Sequence, residues 1–216
     1  MTAPFVLAEK QAGEKRIGIY GGAFDPPHNA HVALAQVAVA HLELDELHII
    51  PTGQAWHKTR PLSPQAHRLA MTRLAFEGLP CMLIDERELQ RAGPTFTIDT
   101  LEALQSENPL AQLYLIMGAD QVAAFDKWHR WEAILDIAII CIAGRPQFIW
   151  SDAPFGTYKE LKSRFLILPL SMMPVSATHI RQLLASSDHA KISKVGELVP
   201  EAVARYIVLS ELYSSH

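Results

Sequence analysis

Two glycines and two histidines lie close together early in the chain, in a pattern that suits phosphate binding. Gly21 and Gly22 end an apolar segment, and His28 and His31 follow shortly after. Glycines let backbone N–H groups approach a ligand closely, and a helix start offers unpaired N–H groups and a positive dipole end. Histidines three residues apart share one face of the first helical turn and could donate to phosphate oxygens. A metal-binding pair or a helix cap would explain the same two histidines.

A second polar group with similar chemistry lies far along the chain. Ser176 is a natural N-cap, and Thr178 and Arg181 are three residues apart on the helix that it would begin. Arginine suits contact with several phosphate oxygens, because its planar guanidinium carries five donors. A capped helix with an exposed arginine is common, so this group gains weight only beside the first.

Apolar segments that alternate with helical patterns must position these residues. The predicted strands are 16–20, 47–50, 81–84, 113–117, 137–142 and 165–168, and the predicted helices are 30–41, 64–76, 97–106, 176–185 and 200–212. Ser63 is expected to cap the second helix, with Pro64 at its first position. Apolar strands between helices predict a doubly wound, parallel α/β sheet covered on both faces. Ligands of such sheets bind beyond the carboxyl ends of the strands.

The composition is that of a folded chain with little net charge. Of 216 residues 49% are hydrophobic, and 19 basic and 23 acidic residues give a net charge of −4. These values exclude a mainly disordered chain. They also argue against a nucleic-acid partner, because dedicated nucleic-acid binders carry a basic excess. Residues 1–14 are expected to form a loose leader, and residues 15–216 a single domain.

The cysteines and the apolar segments indicate a compartment. Cys81 and Cys141 lie in apolar segments and are expected to be buried free thiols, as in a reducing environment. Residues 1–15 lack the pattern of a secretory signal, and the longest apolar stretch is far shorter than the ~20 residues of a membrane helix. The expectation is a soluble cytoplasmic protein without a membrane partner; the sequence indicates no oligomeric state.

The two polar groups together resemble the motifs of a known superfamily. The segment from Gly22 to His31 is similar to the G-x-F-D-P-x-H-x-G-H signature of the adenylyl- and cytidylyltransferases, with Ala30 in place of one glycine. The segment from Val175 to Arg181 resembles the superfamily's I-S-S-T-x-I-R. The resemblance implies a Rossmann-like nucleotidylyltransferase fold. At Ala30 it implies an extra methyl group where the nucleotide base packs.

The middle of the chain resembles one branch of that superfamily, the bacterial nicotinate mononucleotide adenylyltransferases. The similar segments are 49–58, with Trp56 in place of a proline, Asp85-Glu86-Arg87-Glu88, Pro94-Thr95-Phe96-Thr97, 115–120, Trp128 and Gly144-Arg145-Pro146. Each is short, and they select the branch only in combination.

The resemblance implies adenylyl transfer from ATP, with Mg²⁺, to nicotinate mononucleotide in NAD biosynthesis. The residues that it implies to be catalytic are His28, His31 and Arg181. Those implied to contact ATP are Gly21, Gly22, Ala23, Phe24, His28, His31, Lys58, Gly118, Asp120, Ser176, Thr178 and Arg181. Those implied to contact the mononucleotide are Thr97, Trp128 and Arg145. No side chain is expected to bind a metal.

Three other functions remain open at this point. A related transferase could use phosphopantetheine or an alcohol phosphate as acceptor. A zinc hydrolase could use the two histidines, but His57, His67 and His129 provide no recognisable third-ligand pattern. A catalytically silent nucleotide-binding module would disagree with the intact histidines and Arg181.

Overall fold

The computed structural model describes residues 7, 9–53, 61–122, 124–144, 163–170, 173–186 and 189–214. Within them lies a six-stranded sheet of order β3-β2-β1-β4-β5-β6 in which every neighbouring pair is parallel. The strands are β1 Arg16–Gly22, β2 Glu46–Pro51, β3 Met82–Ile84, β4 Gln112–Gly118, β5 Ala138–Gly144 and β6 Phe165–Pro169. The predicted doubly wound parallel sheet is confirmed.

Helices connect the strands and cover the sheet. Their bounds are α1 Asn29–Leu42, α2 Gln65–Phe76, α3 Arg87–Gln90, α4 Thr97–Glu107, α5 Ala119–Val122, α6 Trp131–Ile137, α7 Ala177–Leu184, α8 His189–Leu198 and α9 Glu201–Leu209, with a 3₁₀ turn at Phe125–Lys127. No helix in the described part of the chain is long and apolar enough to cross a membrane.

Two apolar clusters lie on opposite faces of the sheet, because successive side chains of a strand point to opposite sides. Tyr114 and Ile116 of β4 join α1, α2, α7 and α9 in one cluster. Leu113 and Leu115 of the same strand join α4 and α6 in the other. Burial on both faces explains why the strands are almost continuously apolar.

The strand order reverses beside β1. The chain passes from β1 outward to β2 and β3, and then returns to β4 on the other side of β1. The connections after β1 and β4 therefore leave in opposite directions and open a crevice at the carboxyl edge of the sheet. Gly22 ends β1 and Gly118 ends β4, so both glycines stand at this crevice.

Several local predictions were wrong. Ser63 is not the cap of α2: Pro64 has an extended ψ of 141° and takes the cap position, so the helix begins at Gln65. Cys81 is exposed rather than buried, because it stands in a turn with φ 61° before the edge strand β3. The last helix ends at Leu209, and residues 210–213 continue as turns.

Candidate active site

The two histidines after β1 form a fixed pair at the start of α1. His28 is the N-cap residue, and its backbone N–H donates to Nδ1 of His31 at 3.1 Å. The two rings stack with centroids 3.6 Å apart. Because Nδ1 of His31 accepts, the proton of its neutral ring lies on Nε2. His31 therefore offers Nε2–H as a donor.

His28 differs from its neighbour because it is buried. It is 7% exposed, and Nδ1 of its ring has no hydrogen-bond partner among the described residues. Burial lowers the pKa of its imidazole from 6.5 to about 4, since leaving water disfavours the charged form. At neutral pH His28 is thus an uncharged ring at the start of α1.

The Phe24 ring packs against the His31 ring and so helps to fix the histidine pair. Its ring is 1% exposed and lies edge-on to His31 at 5.2 Å, to Tyr20 at 5.7 Å and to Phe76 at 5.5 Å. A Cβ at Gly22 would approach this ring to 2.9 Å, so the glycine is required by packing. The Phe24 side chain is part of the core, and any contact with a ligand would have to use its backbone.

The second polar group meets the first across the sheet edge. Ser176 caps α7 by accepting from the N–H of His179 at 3.2 Å. Arg181 donates through Nη2 to Oγ1 of Thr178 at 3.1 Å and through Nη1 to the carbonyl of Asp25 at 2.7 Å. The guanidinium of α7 is thereby fixed against the loop that carries the histidines.

The Asp25 side chain is held by hydrogen bonds from Tyr213 and Ser63 that the sequence did not predict. Asp25 is 2% exposed; its Oδ1 accepts from the hydroxyl of Tyr213 at 2.6 Å and its Oδ2 from the N–H of Ser63 at 3.2 Å. Arg68, 1% exposed, donates to the carbonyls of Ala23 at 3.2 Å and of residue 52 at 2.7 Å. An arginine on the apolar face of α2 was the available signal for Arg68.

A second half of the site forms around the start of α4. Thr97 is the first helical residue, and Phe96 occupies the cap position without a side-chain cap hydrogen bond. The Phe96 ring lies 4.4 Å from that of His129, which brings the start of α4 beside half-buried Trp128. Trp128 packs against Phe125, with ring centroids 5.5 Å apart. Thr97 and Trp128 thus lie in one region.

Thr52 connects the two halves. Its N–H donates to the carbonyl of Gly22 at 2.9 Å, and its hydroxyl lies 3.2 Å from that of Thr95. Hydroxyls of Thr52, Thr95 and Thr100 surround the carboxyl of Glu88. The pKa of this carboxyl lies above its ordinary value, because the effect of burial is larger than the opposing effect of these hydrogen bonds. This buried cluster is continuous from the end of β1 to the start of α4.

A family model described as cytidylyltransferase-like matches residues 19–183. A protein of Albidiferax ferrireducens named "probable nicotinate-nucleotide adenylyltransferase" is 50% identical over 93% of this chain and 99% of its own length. A Bordetella avium protein of the same name is 41% identical over 92% of this chain and 98% of its own. The chain belongs to the nicotinate-nucleotide adenylyltransferase family.

Solved structures agree with the fold expected of this family. Two structures of Plasmodium falciparum nicotinic acid mononucleotide adenylyltransferase, one complexed with APC and one with NaAD, superpose with TM-scores of 0.73 and 0.74. Each covers 93% of this chain and 98% of its own, at 19% and 18% identity. The Rossmann-like fold of a nucleotidylyltransferase is confirmed.

Of the remaining predicted site residues, some lie in the part of the chain that the structure describes and others do not. Lys58 and Arg145 lie outside the described residues. Asp120 belongs to α5, directly after the end of β4, and Ala30 is half-buried in the first turn of α1. Among the described side chains, no three or more of His, Cys, Asp and Glu are grouped so that they could hold a metal.

Proposed function

We propose that this adenylyltransferase joins the AMP moiety of ATP to nicotinate mononucleotide, giving nicotinate adenine dinucleotide and pyrophosphate. The observation that carries the proposal is the 2.7 Å bond from Arg181 to the carbonyl of Asp25, which unites two phosphate-binding motifs at the edge of the sheet. The names of its relatives support the acceptor and the product.

The reaction requires neither a general base nor a nucleophile from the protein. A phosphate monoester has a second pKa near ~6, so it is mostly dianionic at neutral pH and needs no general base. One of its oxygens bonds to the α-phosphorus of ATP, and the bond from that phosphorus to the bridging oxygen of pyrophosphate breaks. Pyrophosphate leaves with the electron pair, so no enzyme nucleophile is required. The protein must align two anions and offset the developing charge.

The described residues are suited to that task. His31 would donate Nε2–H to the transferring phosphoryl group, while neutral His28 would add a hydrogen bond but no charge. Arg181, with Thr178 and Ser176 beside it, would supply positive charge to the β- and γ-phosphates. Lys58 would add a second cation there.

Mg²⁺ would enter the site bound to ATP rather than to a protein carboxylate. Both carboxylate oxygens of Asp25 already accept hydrogen bonds, from Tyr213 and from the backbone of Ser63. Triphosphate oxygens and water are common ligands of Mg²⁺. The ion would reduce the repulsion between the two anionic substrates.

The nicotinate end would bind between α4 and Trp128. A helix start offers backbone N–H donors and a positive dipole end, which suit the pyridine carboxylate. Trp128 would stack on the ring, Thr97 would lie against the carboxylate, and Arg145 would approach the phosphate of the mononucleotide. The buried cluster around Glu88 would keep this half aligned with the histidines.

Pyrophosphate release tests the proposal directly. The full chain, with ATP and Mg²⁺, is assayed in parallel with nicotinate mononucleotide, its amide and phosphopantetheine. We expect release with the first acceptor at least ~10-fold faster than with either alternative. Faster release with phosphopantetheine would assign the protein to another transferase, and no release with any acceptor would favour a silent nucleotide-binding module.

A further inference from the structure

Tyr213 is bonded directly to the loop that carries the histidines, although neither polar group of the sequence includes it. Its hydroxyl donates to Oδ1 of Asp25 at 2.6 Å across a separation of 188 residues. Burial raises the pKa of the phenol above its ordinary value, so it keeps its proton and remains a donor. The bond connects the turn after α9 with the connection between β1 and α1.

The backbone at Tyr213 supports the importance of this contact. Tyr213 has a φ of 67°, in the left-handed region that bulky residues rarely adopt. Such conformations persist only where the surrounding structure holds them. The half-buried ring packs against the cluster that contains α2 and α9, and its hydroxyl reaches Asp25 from there.

Asp25 receives hydrogen bonds on its side chain and on its backbone. Tyr213 and the N–H of Ser63 hold the two carboxylate oxygens, while Arg181 holds the carbonyl. A displacement of the Asp25 backbone after the loss of the Tyr213 hydrogen bond would therefore also move the carbonyl that accepts from Arg181. A buried carboxylate that loses a donor is expected to move toward another donor, because a buried charge without its hydrogen bonds raises the free energy of the folded state.

We propose that Tyr213 is a positioning residue for adenylyl transfer, which holds Asp25 through its hydroxyl and so aims the Arg181 guanidinium at the triphosphate. The inference rests on the proposed function for the identity of the two substrates. It predicts that losing the hydroxyl impairs the use of ATP and leaves recognition of the mononucleotide unchanged.

Tyr206, on α9 just before the turn that carries Tyr213, provides a matched control. Its hydroxyl pairs with Nδ1 of His67 at 2.9 Å and joins α9 to α2, away from the histidine loop. Tyr206→Phe and Tyr213→Phe each remove one hydroxyl that makes a hydrogen bond to a distant segment of the chain. A merely structural role for Tyr213 would give the two variants similar kinetics.

The test measures kcat and KM for each substrate by pyrophosphate release, together with the thermal midpoint. For Tyr213→Phe we expect kcat/KM for ATP to fall about tenfold, the scale of one hydrogen bond to a charged group. In Tyr213→Phe the KM for the mononucleotide should stay within about twofold of the wild-type value. In Tyr206→Phe both the kcat/KM for ATP and the KM for the mononucleotide should stay within about twofold of the wild-type values. Equal losses toward the two substrates, or equal losses in the two variants, would overturn the inference.

Two further variants keep the proposal falsifiable. Tyr213→Leu also lacks the hydroxyl but packs differently, and it should show the same selective loss toward ATP. In an Arg181→Lys background, Tyr213→Phe should cost less than about twofold more, because residues that act in series are not additive. Full additivity, or a loss that grows with the packing defect instead of with the missing hydroxyl, would assign Tyr213 a structural role.

An unexpected acceptor would not obscure this test. If pyrophosphate release requires an acceptor other than nicotinate mononucleotide, the proposed function fails, yet the effect on ATP can still be measured with that acceptor. If the wild-type protein uses nicotinate mononucleotide and Tyr213→Phe matches it toward ATP, only the positioning role fails.

Discussion

At the scale of single residues, His28 and His31 are not equivalent although the sequence presents them as a pair. His31 is oriented by the backbone N–H of His28 and keeps a donor on Nε2. His28 is buried and neutral, its ring stacks on that of His31, and its Nδ1 has no hydrogen-bond partner among the residues that the structure describes. We therefore expect His31 to donate a hydrogen bond to the charge that develops in the reaction. The role expected of His28 is to orient the His31 ring.

We expect His31→Ala to lower kcat by about 100-fold or more, the scale of losing one preorganised donor to a developing charge. The fold should persist, because the half-buried ring stands at a helix start. His41→Ala, at an exposed position near the other end of α1, is the matched control and should retain wild-type turnover. A folded His31→Ala variant with near wild-type kcat would refute the assignment.

The lowered pKa of His28 predicts how stability depends on pH. Between pH 7 and pH 5 an unfolded imidazole gains a proton that the buried ring refuses, so the folded state loses stability as the pH falls. This single group contributes about 2 kcal/mol over that interval. The free energy of unfolding in urea, measured at pH 7 and at pH 5, should fall less in His28→Asn than in the wild type. His129→Asn, which changes an exposed residue, should show the wild-type decrease. The same decrease in all three proteins would disprove the effect.

The sequence reveals residues of this site only where their types are unusual for their position. His28, His31 and Arg181 are detectable because polar groups of one chemistry follow predicted strands. Tyr213 and Thr52 carry no such signal: a tyrosine and a threonine become part of the site only through contacts between distant segments. Arg68 is intermediate, because its charge interrupts an apolar helix face.

At the scale of elements, the start of α4 is the feature that should select the acid form of the mononucleotide. A carboxylate only accepts hydrogen bonds, whereas an amide also brings an N–H₂ group. Facing the N–H donors of a helix start, that group would leave buried donors unpaired at roughly 1–3 kcal/mol each. The cap position holds the apolar Phe96, and the acidic residue of the first turn, Asp99, comes two positions after Thr97.

We therefore expect kcat/KM to be at least ~10-fold higher for nicotinate mononucleotide than for its amide, since about 1.4 kcal/mol corresponds to one decade. Steady-state pyrophosphate release with both acceptors measures the ratio, and the KM for ATP should be the same in the two series. Equal efficiency, or a preference for the amide, would show that α4 does not select the charge.

The strands and the long apolar helices were predictable, and the short helices were not. The predicted helix 97–106 and strand 113–117 differ from α4 and β4 by one residue at some of their ends, because periodic apolar residues define them. The helices α3, α5, α6 and α8 were missed. The first three span seven residues or fewer, too few for a helical period to be evident. The fourth spans ten residues but contains Gly196, a residue of low helix propensity.

At the scale of the whole molecule, the sheet order places segments from opposite ends of the sequence at one crevice. The segments 21–31 and 176–181 both reach the carboxyl edge, and Arg181 joins them. Because one sheet and two continuous apolar clusters run through the described residues, we infer that they unfold as one unit.

ATP should accordingly stabilise the entire chain. At 100 times its Kd, a ligand adds about 2.7 kcal/mol, which for a chain of this size raises the thermal midpoint by about 5–10 °C. Far-ultraviolet circular dichroism and tryptophan fluorescence should report the same shift in a single transition. AMP, which lacks the β- and γ-phosphates, should give a smaller shift. Two separate transitions, or no shift with ATP, would contradict this view.

The distance along the chain between Asp25 and Tyr213 has a consequence for how the protein is made. At 5–20 residues per second, a ribosome needs about 10–40 s to add the 188 positions between them. For the first 156 of these additions the histidine loop lacks Arg181, and until the last of them it lacks Tyr213. We therefore expect that the histidine loop of a nascent chain cannot hold nucleotide until both Arg181 and Tyr213 have been added.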